Sequence, residues 1–126
     1  MVNIVQKVDN LVNIQHVLLS VSDKTGLETL VPGLVTMNPD ICFYSTGGTY
    51  TRVSEILGAV GTARHLMQVS DYTGQPETQG GLVKTLDFKI YLGLLTETYN
   101  EAHRADLVRT KAIPIDMVVV NLYPFV

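Results

Sequence analysis

The sequence contains a single cysteine, few basic residues and no long apolar run. Cys42 has no partner cysteine, which excludes an internal disulfide and favours a reducing compartment. Nine Lys and Arg residues against twelve Asp and Glu give a net charge of −3. This balance disfavours nucleic-acid binding, because phosphate backbones need clustered basic residues. No apolar run is long enough to cross a bilayer, and no basic region followed by an apolar stretch opens the chain. We therefore expect a cytoplasmic protein with neither a membrane nor a nucleic-acid partner.

Metal ligation is equally unsupported by the sequence. His16, His65 and His103 show no metal-ligand spacing among themselves or with Cys42. Cys42 lies in the apolar stretch 41–44, which favours a small core residue over a nucleophile. The sequence therefore predicts no metal site.

The composition that remains is that of a packed globular domain. Of the 126 residues, 46% are hydrophobic and only 17% are charged. This length suits one domain with one core, which we expect to cover residues 1–126. The low charge indicates that part of the surface is covered by a second subunit or a neighbouring domain. A homo-oligomer is the expected state.

Apolar runs alternate with helical patterns along the chain. Residues 16–21, 41–44 and 117–120 are predicted interior strands, with another strand ending at 67–69. A first helix is predicted to begin at Ser22-Asp23 and to be interrupted at Pro32. Two further helices are predicted over residues 49–57 and 102–111. Residues 70–81 are predicted as a loop, and 82–95 fit either a strand or a short helix. The alternation predicts an α/β fold with a doubly wound parallel sheet.

Three polar clusters follow predicted strands, where open α/β sheets bind ligands. They are Ser-Asp-Lys-Thr-Gly at 22–26, Ser-Thr-Gly-Gly-Thr at 45–49 and Asn-Leu-Tyr at 121–123. Gly47 and Gly48 allow backbone amides to approach an anion, and Lys24 supplies a compact positive charge. Each cluster alone fits an ordinary capped turn. Together, at one edge of the sheet, they predict a phosphate pocket.

Two further residues have a structural and a functional interpretation. Lys84 follows a glycine-rich approach at 80–83, and it fits either a solvated surface charge or a buried charge or proton donor. Tyr123 fits either a core aromatic or an active-site donor. The residues alone leave these alternatives open.

Six blocks together resemble a known family. The chain is similar to the N-terminal, methylglyoxal-synthase-like domain of the bifunctional AICAR transformylase/IMP cyclohydrolase family. The blocks occur in the family's order, and they are Ser-Val-Ser-Asp-Lys-Thr-Gly-Leu at 20–27, Ser-Thr-Gly-Gly-Thr at 45–49, Val-Ser-Asp-Tyr-Thr-Gly at 69–74, Pro-Glu at 76–77, Val-Lys-Thr-Leu at 83–86 and Val-Val-Val-Asn-Leu-Tyr-Pro-Phe at 118–125. The resemblance covers about residues 17–125 and implies a methylglyoxal-synthase-like fold.

The resemblance also implies an activity and a set of site residues. The expected reaction closes formyl-AICAR to IMP in purine biosynthesis and needs no metal or redox cofactor. Lys84 and Tyr123 match positions implicated in catalysis. Positions that contact the purine ribonucleotide monophosphate are matched by Ser22, Asp23, Lys24, Thr46, Gly47, Gly48, Thr49, Val83, Thr85, Val120 and Asn121.

The chain departs from the family pattern around the Val-Lys-Thr triplet. The family has arginine before the triplet, then Leu-His-Pro and a second histidine, whereas this chain has Leu82, then Asp87 and Phe88, then Tyr91. The family's Asp-Ile-Gly-Gly and Lys-Asn segments and its transformylase domain lie beyond Val126. We expect nucleotide binding with slow or undetectable ring closure, and a separate transformylase chain is a candidate partner. The alternatives are a non-catalytic nucleotide-binding regulatory module, like that of carbamoyl phosphate synthetases, and a methylglyoxal-synthase-like lyase.

Overall fold

A four-stranded parallel sheet organises the chain. The computed structural model describes residues 5, 7–74 and 87–122. Its elements, in order, are β1 His16–Ser20, α1 Leu27–Met37, β2 Cys42–Ser45, α2 Gly47–His65, β3 Leu66–Gln68, α3 Val69–Thr73, α4 Phe88–Leu95, α5 Glu101–Thr110 and β4 Met117–Val120. The strand order is β3-β2-β1-β4, and all three pairings are parallel.

The alternating side chains of the strands make a core on each face of the sheet. On one face, Val17, Leu19 and Phe43 pack against α1 and α2, whose buried residues include Val31 and Val53. On the other face, Leu18 and Tyr44 pack with Val69 at the start of α3 and Ile90 of α4. Helices therefore cover both faces, and the predicted α/β, doubly wound parallel fold is confirmed. Within the described residues, no helix combines the length and apolar character needed to span a membrane.

The first helix differs from its prediction at both ends. It begins at Leu27 rather than at Ser22-Asp23, because Gly26 turns the chain with φ 93° immediately before it. Pro32 does not interrupt it, and the helix continues to Met37. A proline removes one amide donor, and the buried Val31 and Leu34 on either side hold this helix against the sheet despite that loss. The predicted turn at 38–40 is confirmed.

Later elements also correct the sequence-based boundaries. The second helix is longer than the predicted 49–57, because Gly58 adopts φ 74° and joins two helical segments across a kink. Residues 70–73 were predicted as loop but belong to α3, and the ambiguous stretch resolves into α4 from Phe88 onward. Residues 75–86 lie outside the described residues. The helix predicted at 102–111 is confirmed as α5.

The last strand was predicted to be interior, whereas among the described residues it lies at an edge of the sheet. In the described sheet β4 pairs only with β1 and forms an edge. Its side chains alternate between half-buried and exposed, with Val118 and Val120 on the exposed side. The strands at 16–20 and 42–45 are interior, as predicted.

Candidate functional site

The segment after β1 is folded around its own side chains. The Asp23 carboxylate accepts hydrogen bonds from the Thr25 hydroxyl at 2.7 Å and the Thr25 amide at 3.0 Å. The bond from the Thr25 hydroxyl, followed by that from its amide, lowers the pKa of Asp23 below its ordinary value. Asp23 therefore makes a local turn and does not cap α1 as predicted.

Lys24 occupies the inner side of this turn. Its Nζ donates to the carbonyl oxygens of Val21 and Ser22, each at 3.1 Å. Within the described residues, no carboxylate forms an ion pair with Lys24. Two carbonyls thus hold the ammonium in place, and no described carboxylate lies within ion-pair distance of it.

The ammonium lies against the first turn of α2. A Cβ added to Gly48 would be 3.3 Å from Lys24 Cε and 3.6 Å from Lys24 Nζ. The close approach therefore depends on the missing side chain of Gly48.

The start of α2 presents free amide groups. Thr46 precedes the helix, but its side chain makes no capping hydrogen bond. Its Oγ1 lies 3.3 Å from Ser20 Oγ instead. In the described part of the chain, no acceptor is bonded to the amides of Gly47, Gly48 or Thr49. These donors, the helix dipole and the Lys24 ammonium all favour an anion at this point.

Thr49 and Asn121 are predicted ligand contacts whose side chains are engaged elsewhere. Thr49 is only 3% exposed, and its hydroxyl both accepts from the Val21 amide and donates to the Val21 carbonyl, each at 3.1 Å. The Asn121 Oδ1 accepts from the amides of Ser22 at 2.6 Å and Asp23 at 3.1 Å, and its Nδ2 donates to the Asp23 carbonyl at 2.8 Å. Both side chains hold the loop of residues 21–24.

The structure brings most of the predicted binding residues to the carboxyl edge of the sheet. The residues found there are Ser22, Asp23, Lys24, Thr46, Gly47, Gly48, Thr49, Val120 and Asn121. Val83, Lys84, Thr85 and Tyr123 lie outside the described residues, so their roles stay predictions. The sequence reasoning missed Ser20, a polar residue that ends the otherwise apolar run of β1 and meets Thr46. Its position directly before the Val-Ser-Asp-Lys block was the available indication.

Asp87, which departs from the family pattern, begins a helix. Its carboxylate accepts a hydrogen bond from the Lys89 amide at 2.9 Å and caps α4. The next residue, Phe88, is exposed. An acidic helix cap thus stands where the family has histidine.

Nothing in the described part of the chain forms a metal centre, since no three His, Cys, Asp or Glu side chains cluster there. Cys42 is half-buried on β2, and burial raises the pKa of its thiol. His65 is buried, with Nδ1 2.9 Å from the Ile41 carbonyl oxygen. These positions fit structural roles.

Comparison with known proteins identifies the family, although no protein-family model matches the chain. The bifunctional purine biosynthesis protein PurH of Prochlorococcus marinus (strain NATL2A) is 48% identical over 112 residues, covering 86% of this chain. PurH of Magnetococcus marinus is 44% identical over 89% of the chain, and PurH of Leptospira biflexa is 41% identical over 92%. The chain belongs to the PurH family. Its match to PurH is consistent with the N-terminal IMP cyclohydrolase domain of the family that the sequence resembles.

The PurH match covers only part of the relatives. This chain spans 20% of the length of the Prochlorococcus PurH and of the Magnetococcus PurH. Among solved structures, the crystal structure of ForH has a TM-score of 0.71 and 26% sequence identity, and the match covers 90% of this chain and 55% of ForH. The similarity to PurH and to ForH therefore concerns only a segment of each of those proteins.

Proposed function

We propose that this PurH-family chain is an IMP cyclohydrolase-type domain that binds a purine ribonucleotide monophosphate at the carboxyl edge of its sheet. The observation that carries the proposal is the contact between Lys24 and the first turn of α2. There the Lys24 ammonium lies beside backbone amides that have no acceptor among the described residues, an arrangement that suits a phosphate dianion. Each charge-assisted hydrogen bond to the phosphate contributes about 1.5–3 kcal/mol.

The rest of the nucleotide extends from this phosphate position along the edge of the sheet. Val120, at the end of β4, is 59% exposed and pairs in register with Ser20. Its apolar side chain offers a surface for the base, in agreement with the family position that it matches. Lys84 and Tyr123 keep their proposed catalytic roles on the strength of the resemblance alone.

The proposed reaction needs few catalytic groups. The carboxamide nitrogen attacks the formyl carbon of the same molecule, and water is then lost. Because both groups belong to one substrate, holding the reactive conformer does much of the work. A lysine cation stabilises the developing oxyanion, and a tyrosine hydroxyl relays a proton.

The setting proposed for this activity follows from composition and family. We propose a single cytoplasmic domain over residues 1–126. It acts as a homo-oligomer, with a separate transformylase chain as a further partner. Sedimentation of the purified chain tests the oligomer directly.

A non-catalytic nucleotide-binding module is the second candidate. It is favoured by Asp87, whose carboxylate is bonded to the Lys89 amide at 2.9 Å as the cap of α4. A carboxylate that caps a helix thus takes the place of the imidazole that the family resemblance implies for proton transfer. The two candidates share the binding site and differ in turnover.

The binding proposal is tested by calorimetry with IMP, AICAR ribonucleotide, inorganic phosphate and dihydroxyacetone phosphate. We expect IMP and AICAR ribonucleotide to bind, and Lys24→Gln to weaken both by at least about tenfold, which corresponds to about 1.4 kcal/mol. Lys7→Gln is the matched control, because Lys7 lies over the Tyr99 ring at 4.3 Å, away from residues 21–24 and 46–49.

Each other outcome of this experiment has a defined meaning. If no purine nucleotide binds, the proposed function is wrong. If only dihydroxyacetone phosphate binds, the methylglyoxal-synthase-like lyase is favoured over both purine-binding candidates. If Lys7→Gln and Lys24→Gln weaken binding equally, the change in net charge explains the loss of affinity. Lys24 is then not part of the binding site.

A further inference from the structure

We infer that Asn121 and Thr49 are positioning residues, which hold the loop of residues 21–24 in the conformation that places the Lys24 ammonium at the start of α2. This inference rests on the proposed function, because the ammonium is the group proposed to bind phosphate. It assigns to both side chains a role different from the ligand contact that the family resemblance implies.

Asn121 fixes the outer side of the loop. One carbonyl oxygen accepts the two consecutive amides of Ser22 and Asp23, while the Nδ2 group donates to the Asp23 carbonyl. Consecutive amides that point to one spot form a concavity that attracts anions. The Asn121 oxygen fills this concavity, so a bound anion is directed to the other side of the loop.

Thr49 fixes the inner side of the loop. Its hydroxyl satisfies both the amide and the carbonyl of Val21, at 3.1 Å each, in a buried position. The side chain thus attaches the end of β1 to the first turn of α2. Among the described contacts, the Thr49 hydroxyl is the acceptor for the buried Val21 amide, and a buried amide left unpaired is costly.

The two contacts converge on Lys24 through the loop carbonyls. The Val21 carbonyl receives hydrogen bonds from both the Thr49 hydroxyl and Lys24 Nζ, and Ser22 supplies the second carbonyl to Lys24 Nζ. The direction of these carbonyls determines where the ammonium lies. Because Asn121 binds the Ser22 amide and Thr49 binds Val21, the two side chains set that direction from opposite sides.

A double-mutant cycle separates positioning from general stabilisation. If Asn121 acts through Lys24, Asn121→Ala weakens IMP binding about tenfold in the natural chain and has no further effect in Lys24→Gln. The same pattern is expected of Thr49→Val, and Thr49→Ser, which keeps the hydroxyl, restores affinity. A loss of affinity that persists at the same size in Lys24→Gln would mean instead that Asn121 acts on IMP binding independently of Lys24, and would contradict the inference.

The chain offers a matched control for Asn121. The Asn38 side chain also clamps a turn, accepting from the Asp40 amide and donating to the Ile14 carbonyl, each at 3.0 Å. Asn38 follows the end of α1 before β2, at the other edge of the sheet. We expect Asn38→Ala to lower stability by a similar amount and to leave IMP affinity unchanged.

The Lys24 ammonium provides a readout that needs no ligand. Side-chain NMR of selectively labelled lysine reports slow hydrogen exchange where the ammonium is held by carbonyls, and we expect fast exchange in Asn121→Ala and Thr49→Val. Equal exchange and equal IMP affinity in these variants would overturn the inference. A natural chain that does not bind IMP would overturn the proposed function instead, and the lysine exchange would still decide the positioning role.

Discussion

Side chains at the carboxyl edge fall into two groups according to their hydrogen bonds. The side chains of Thr49 and Asn121 form hydrogen bonds with the backbone of the loop after β1. Lys24 is held by two carbonyls and forms no ion pair with a described carboxylate. The side chains that bind backbone hold the loop, and Lys24 is the residue proposed to attract the phosphate.

Gly48 is the residue whose size most directly controls the site. We expect Gly48→Ala to weaken IMP binding, because its Cβ would be 3.3 Å from Lys24 Cε and would push the ammonium away. Stability should stay level or rise, since alanine is favoured over glycine in a helix by up to about 1 kcal/mol. Calorimetry and thermal unfolding measure the two effects.

Gly33→Ala is the control for this substitution. Gly33 lies in α1, and a Cβ there would meet nothing within 4 Å. We expect the same gain in stability with no change in IMP affinity. Unchanged binding in Gly48→Ala would show that Lys24 adapts and that its position is not critical.

Cys42 should behave as a structural thiol. Burial raises its pKa, so we expect slow reaction with a disulfide reagent at pH 8, at least about tenfold slower than in the denatured chain. A thiol that stays neutral when folded stabilises the protein below the thiol's ordinary pKa. This contribution is lost as the pH rises through the ordinary pKa toward the raised one. A native rate equal to the denatured rate would contradict this assignment.

At the scale of elements, the sequence predicted the strands better than the ends of the helices. The apolar runs of β1 and β2 predict interior strands correctly, because both strands contribute side chains to the core on each face of the sheet. The run of β4 looks the same in sequence but forms an edge of the described sheet. A continuous apolar run does not report how many neighbours a strand has, so this error could not have been avoided.

Helix boundaries depend on contacts that the sequence does not display. Pro32 predicted a break, but the buried residues on either side keep α1 continuous. The predicted clusters at the strand ends do meet, because parallel strands place their carboxyl ends at one edge. Which atoms remain available there could not be predicted, since Asn121 and the loop amides it binds are about 100 residues apart, with separations of 99 and 98.

Gly93 is the most constrained contact between elements. A Cβ at this position in α4 would collide with the backbone oxygen of Ile113 and lie 3.2 Å from Ile115 Cγ1. The Ile115 amide also donates to the Gly93 carbonyl at 3.0 Å. We expect Gly93→Ala to lower the free energy of unfolding by about 1–3 kcal/mol, because backbone atoms cannot move aside easily. Chemical denaturation measures this loss, and a stability equal to that of Gly33→Ala would contradict it.

At the scale of the whole molecule, the family and the local departures point in different directions. Identities of 41–48% to PurH proteins span most of this chain, and the structure places Lys24 against Gly48 in the first turn of α2. The region around the Val-Lys-Thr triplet differs from the family, and its described end has Asp87 committed to a helix cap. Binding and chemistry therefore need to be measured separately.

Ring closure is expected to be slow in this chain even where the nucleotide binds. Leu82 cannot replace an arginine, so about 1.5–3 kcal/mol of charge-assisted bonding is lost. If Asp87 does not replace the histidine that the family resemblance implies, the loss of that acid–base group costs a further factor of roughly 10² to 10⁴ in rate. The absorbance change as formyl-AICAR closes to IMP, compared with the spontaneous rate, measures the outcome. Any residual rate should fall further in Lys84→Ala and stay unchanged in Lys7→Ala. Rapid turnover would show that these departures are compensated, and a rate insensitive to Lys84→Ala would remove that residue from the reaction.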